Sequence, residues 1–98
     1  MTDVVAPFDA ADYLTSDAVI AEYLSAAVED PNPDVFLAAL DDVAKARGIG
    51  QIAKQTGFGR ESLYKAFGPG AHPRFETVSA VLRALGVKFA IIPDGPPR

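Results

Sequence analysis

An all-α domain of five to six short helices, closed by one C-terminal β-strand, is the fold class this sequence predicts. Three observations carry the prediction. Apolar residues recur at helical spacing in successive segments. Ser, Asn, Pro and Gly stand at the joints between those segments. The period then changes once, near residue 87, to a β-branched and aromatic run. The chain has 98 residues, 49% of them hydrophobic, which suits one core and is short for two. A single domain over residues 7–92 is therefore expected, between a flexible N-terminus at 1–6 and a flexible tail at 93–98.

Taken in order, Asp9 can cap a short helical turn over residues 9–14, with Asp12 favouring its N-terminus. Ser16 is a stronger start signal, because Ile20, Tyr23, Leu24 and Ala27 then give one apolar face over residues 17–28. Asp30-Pro31-Asn32-Pro33 stops that helix and opens the next. Asn32 serves as N-cap, and Pro33 takes the first helical position, where its missing N–H costs nothing. Phe36, Leu37, Leu40, Val43 and Ala44 form a stripe ending at Gly48, with Lys45 and Arg47 suited to a helix C-terminus. Shorter helices follow at 51–56, closed by Gly57, and at 60–67, closed by Gly68-Pro69-Gly70. Phe75, Val78, Leu82 and Leu85 make a further amphipathic helix with Gly86 as its C-terminal cap. Residues 87–92 (Val-Lys-Phe-Ala-Ile-Ile) read as the strand.

No apolar run reaches the roughly 18 residues of a spanning helix, and no basic stretch followed by an apolar one opens the chain. A cytoplasmic location is the expectation. The absence of Cys removes disulfides, thiolate metal sites and cysteine nucleophiles together.

The formal net charge of −4 conceals an uneven distribution. Residues 1–44 hold Asp3, Asp9, Asp12, Asp17, Glu22, Glu29, Asp30, Asp34, Asp41 and Asp42 and no Lys or Arg. Residues 45–88 hold Lys45, Arg47, Lys54, Arg60, Lys65, Arg74, Arg83 and Lys88 against only Glu61 and Glu76. Such asymmetry points to a charged partner.

The basic half contains the stretch that carries chemistry, residues 49–67. Ala53 is small where a second helix must approach closely, and Gly57, four residues on, can take the positive φ of a tight reversal. Ile52, Phe58, Leu63 and Ala66 point inward. Gly59, Arg60, Glu61, Tyr64 and Lys65 are left facing out, at and beyond the start of the second short helix. A pair of this kind can place its second helix in a DNA major groove.

The stretch resembles the helix-turn-helix of the phage-repressor (Xre/Cro-like) superfamily. More closely, the chain resembles the probable addiction module antidote protein family of HigA-like antitoxins. The closer resemblance rests on Pro7-Phe8-Asp9 with Tyr13-Leu14, on Gln51-Ile52-Ala53 with Arg60-Glu61-Ser62-Leu63-Tyr64-Lys65-Ala66, and on Pro73-Arg74-Phe75-Glu76-Thr77-Val78 with Leu82-Arg83-Ala84-Leu85-Gly86. Two positions depart from the phage-repressor pattern. Gln51 lies two residues later than the usual Gln, and Gly59 occupies the usual Ser/Thr cap. The resemblance implies a transcriptional repressor that is also the antitoxin of a type II toxin–antitoxin module. Its toxin would be a small basic protein of the RelE/ParE-like type, and the pair would autoregulate their operon.

For DNA binding, Arg60 is expected at a guanine edge or phosphate and Lys65 at phosphate or base. Glu61 can accept from cytosine N4 or merely favour its helix N-terminus. Ser62 and Tyr64 can reach backbone phosphate or touch nothing. Arg74, past a Gly/Pro loop, can fix register on the backbone or remain a loop cation. His72, with no Cys or second His, reads as a loop histidine, so no metal or cofactor is expected. No nucleophile–base arrangement and no phosphate-cradling glycine loop accompanies the acids, so an enzyme is not expected.

A lone strand cannot satisfy its own N–H and C=O groups. Val87, Phe89, Ile91 and Ile92 are thus expected to serve association, foremost a two-fold homodimer suited to a palindromic operator. The rivals are docking on the toxin's sheet edge and folding back on the chain's own helices. The acidic half can attract the basic toxin, or can provide only solubility and repel DNA from the wrong face. Two other functions remain open. One is a protein-interaction module that sequesters a basic toxin with little specific DNA binding. The other is a stand-alone transcriptional regulator with no toxin.

Overall fold

The computed structural model describes residues 16–95, so the expectations for residues 1–6, 9–14 and 96–98 lie outside the described residues. Five helices occur among the described residues: α1 (Asp17–Val28), α2 (Pro33–Arg47), α3 (Ile49–Thr56), α4 (Arg60–Ala66) and α5 (Phe75–Ala84).

Local chemistry starts and stops the first two. Ser16 is extended, and its Oγ accepts from the Val19 N–H at 3.2 Å, satisfying one of the free amides at the start of α1. Asn32 does the same for α2, accepting from the Asp34 N–H at 3.0 Å with Pro33 at the first turn. Gly48, at φ +103°, ends α2 and begins α3.

The core is one cluster. Ile20 and Leu24 of α1, Leu40, Val43 and Ala44 of α2, Ile49 and Ile52 of α3, Leu63 of α4, and Val78, Val81 and Leu82 of α5 are all buried, with Leu85 just beyond. Helix α1 packs on α2, α2 on α3, and α3 on both α4 and α5. Helix α3 therefore fixes where α4 points. Across the first pair, the Tyr23 hydroxyl donates to Asp42 Oδ2 at 3.3 Å. Partial burial pushes the Tyr23 phenol above its ordinary range, and the Asp42 charge and hydrogen bond push it the same way.

Helix α5 closes with a Schellman motif. The Val87 N–H donates to Leu82 O and the Gly86 N–H to Arg83 O, each at 3.0 Å, with Gly86 at φ +86°. The Asp17 carboxylate lies against this cap and also meets Arg47 Nη1 at 3.3 Å. A Cβ on Gly86 would come within 2.7 Å of Asp17 Oδ2. Gly86→Ala is therefore expected to cost about 1–3 kcal/mol, most of it left-handed backbone strain and the rest displacement of Asp17. Thermal unfolding should show a midpoint lower by roughly 5–15 °C. Asp17→Ala alone should move it far less, since an exposed ion pair is worth only about 0–1 kcal/mol.

The expected C-terminal strand is corrected: residues 87–92 form no strand. Among the described residues no other strand is present to receive the ladder. The segment is held by side chains instead. Val87 packs on the core, and the Phe89 ring lies 5.7 Å from Phe75 and 6.2 Å from Phe36, centroid to centroid. Ile91 and Ile92 are exposed.

Candidate nucleic-acid interface

The link between α3 and α4 is short and tightly bonded. Gly57 takes the left-handed conformation at φ +84°, and its N–H donates to Ala53 O at 2.9 Å. The Thr56 hydroxyl donates to Ile52 O at 2.8 Å and accepts from the Phe58 N–H at 3.2 Å, so one side chain holds both the end of α3 and the reversal. Gly59 is extended at the start of α4 and offers no side-chain cap. Ile52 and Leu63 are buried, and Ala53, Phe58 and Ala66 are packed against the core at its edge. Phe67, which the periodicity did not mark as core, is buried as well.

These contacts turn the other side of α4 outward. Gly59, Arg60, Glu61, Ser62 and Lys65 are exposed. Arg74 is exposed too, in extended backbone at the start of α5, and His72 is exposed in the loop before it. Tyr64 differs from the rest. It is 44% exposed, and Lys45 Nζ sits 5.9 Å from its ring centroid, so α2 covers one face of the phenol ring.

The cations divide in a way that their order in the sequence does not reveal. Lys45 pairs with Asp41 at 2.9 Å and Arg47 with Asp17 at 3.3 Å. The hydrogen bond to Asp41, then the charge of that carboxylate, hold the Lys45 ammonium above its ordinary range. No described carboxylate pairs with Arg60, Lys65 or Arg74. Among the described residues, the base-rich half thus pairs its first two cations with the acidic half, while Arg60, Lys65 and Arg74 on and near α4, like Lys54, Arg83 and Lys88, have no carboxylate partner. Sequence reasoning missed Lys45 as a partner of Tyr64. It also missed the exposed ring of Phe75, because it assigned that position to the inward face of α5.

Among the described residues, no group of three or more His, Asp or Glu side chains could hold a metal ion. No described helix is long and apolar enough to cross a membrane. A sequence-family model described as "Probable addiction module antidote protein" matches residues 4–93 of this chain. An "Uncharacterized protein" of Haemophilus influenzae (strain ATCC 51907 / DSM 11121 / KW20 / Rd) is 41% identical over 91 residues, covering 93% of this chain and 94% of that protein. No solved structure matches.

Proposed function

This chain belongs to the probable addiction module antidote protein family, and we propose on that basis that it is the antitoxin of a type II toxin–antitoxin module and a repressor of its own operon. The observation that carries the repressor half is the exposure of Arg60 and Lys65 on α4, with no described carboxylate against either, directly after the Gly57 reversal. In this reading α3 and α4 are a helix-turn-helix of the Xre/Cro type, as in HigA-like antitoxins. Helix α4 enters the major groove, where Arg60 meets a guanine edge or phosphate and Lys65 a phosphate or base. Ser62 and Arg74 contact backbone phosphate and set the register, and Glu61 faces the bases from the first turn. Tyr64 contributes the edge of its ring that Lys45 leaves open.

The antitoxin half uses the acidic face of α1 and α2. Glu22, Glu29, Asp30, Asp34 and Asp42 have no ion-pair partner among the described residues. Such a face attracts a basic protein, which is the character of a RelE/ParE-like toxin. The same carboxylates favour a second reading, in which the chain mainly sequesters such a toxin and binds DNA weakly. Both are binding functions, need no cofactor, and place the chain with its operon in the cytoplasm. A two-fold pair of chains presents two copies of α4 to a palindromic operator.

A growth assay tests the antitoxin half. The reading predicts a small basic protein encoded beside this gene; expressed alone it should arrest growth, and co-expression of the full chain should restore it. Arrest that persists at equal expression would remove the antitoxin reading.

A further inference from the structure

A groove that DNA binding does not use runs along α2. It has two adjoining parts, of about 370 and 340 Å³, which share Asp34 and Leu37. The floor is apolar. Phe36 and Leu37 are half-buried there, and Phe67 and Val78 belong to the core. Opposite α2 the wall is the segment over residues 67–73, where the Ala71 N–H donates to Gly68 O at 3.1 Å and Gly70 turns at φ +74°. On the α2 wall, Asp34, Ala38, Asp41 and Asp42 recur at three- and four-residue spacing and share one helix face. No Lys or Arg is among the described lining residues.

We propose that this groove is where the chain grips a basic protein partner, and that it receives an apolar side chain flanked by Lys or Arg. The apolar floor and the carboxylate wall together select that chemistry. Among the described residues Asp34 has no ion-pair partner, Asp41 meets Lys45 through Oδ2, and Asp42 Oδ2 accepts from the Tyr23 hydroxyl. Each carboxylate therefore keeps room to accept from an incoming ammonium or guanidinium. From Asp34 to Asp42 the helix rises about 12 Å, which spaces two cations with an apolar residue between them. DNA is repelled by the same carboxylates. The inference rests on the antitoxin reading and deepens it. The acidic surface of α1 steers the encounter, while the groove on α2 makes the lasting contact.

The test is calorimetric titration of the full chain with the basic protein that the antitoxin reading predicts beside its gene, at about 150 mM salt. Ala38 is exposed on a helix that Arg suits, so Ala38→Arg should leave helical content unchanged. Its guanidinium, four residues from both Asp34 and Asp42, fills the groove from within. Affinity should fall at least about thirtyfold, as for a central interface residue. Ala26→Arg is the control, because it makes the same change of size and charge on the exposed side of α1, outside the groove. It should stay within about threefold of the wild type. Ala38→Arg binding as tightly as the wild type would overturn the proposal and leave the antitoxin reading standing, whether residues 1–15 or a second copy then proves to fill the groove. Equal losses for the two variants would also overturn it, since the acidic surface would then act as a whole. A wild-type chain that binds no such protein removes the antitoxin reading and this inference together.

Discussion

Arg60→Ala combined with Lys65→Ala is expected to weaken binding to the upstream DNA about a hundredfold, with the helical content of the protein unchanged. Both side chains are exposed and neither pairs with a described carboxylate, so the folded state loses nothing by their removal. A good bidentate base contact contributes about 1–3 kcal/mol, and a phosphate contact adds the release of its counterions. The two losses together come to about 2.7 kcal/mol, which is a hundredfold in affinity. The salt dependence should flatten as well, its log–log slope falling by about one for each phosphate contact removed. Fluorescence anisotropy across salt concentrations measures both quantities. Rescue of growth by the same variant should persist, because the acidic face of α1 and α2 is unaltered. Affinity and slope both unchanged would mean that α4 does not contact DNA.

Leu63→Ala is expected to have the largest effect on the fold near this surface. Leu63 is 1% exposed and is the one buried residue within α4. Its truncation leaves a cavity between α4 and the core that costs about 2–5 kcal/mol, a large share of the roughly 5–15 kcal/mol that holds such a domain together. Thermal unfolding should show a midpoint lower by at least about 10 °C. DNA binding should fail at temperatures where α1, α2 and α5 are still helical, because α4 is held mainly through α3 and is the first element to detach. Leu63→Met conserves volume and should cost less than about 1.5 kcal/mol. A loss below about 1 kcal/mol for Leu63→Ala would show that the site collapses around the smaller side chain, and that α4 does not depend on this contact.

The parts of the fold that were legible in the sequence are those set by near neighbours. Ser16, Asn32-Pro33, Gly48, Gly57 and Gly86 act on backbone groups within a few residues, and each sits in the structure at the helix end its chemistry suggested. The outward side of α4 was legible for the same reason, since helical spacing alone separates Leu63 from Arg60 and Lys65. What was misread depends on residues far apart in the chain. The composition of residues 87–92 fits a strand, yet the segment is settled by Phe89 meeting Phe36 and Phe75, contacts that no local period encodes. Tyr64 was read as an outward residue because its spacing is outward. Its ring is nevertheless shared with Lys45, which the ion pair to Asp41 holds in place. The split of charge between the two halves was visible at once. Only the fold shows that Lys45 and Arg47 are paired while the other described cations, Arg60 and Lys65 of α4 among them, are not.

The central claim, that α4 reads DNA, is tested most directly by titrating the unmodified full-length protein onto two labelled duplexes. One carries the sequence upstream of its gene, and the other has the same composition scrambled. At about 150 mM salt, the upstream duplex should be preferred by about a thousandfold or more, the range of specific over non-specific binding. Equal affinity for the two duplexes, or no binding to either, would contradict it.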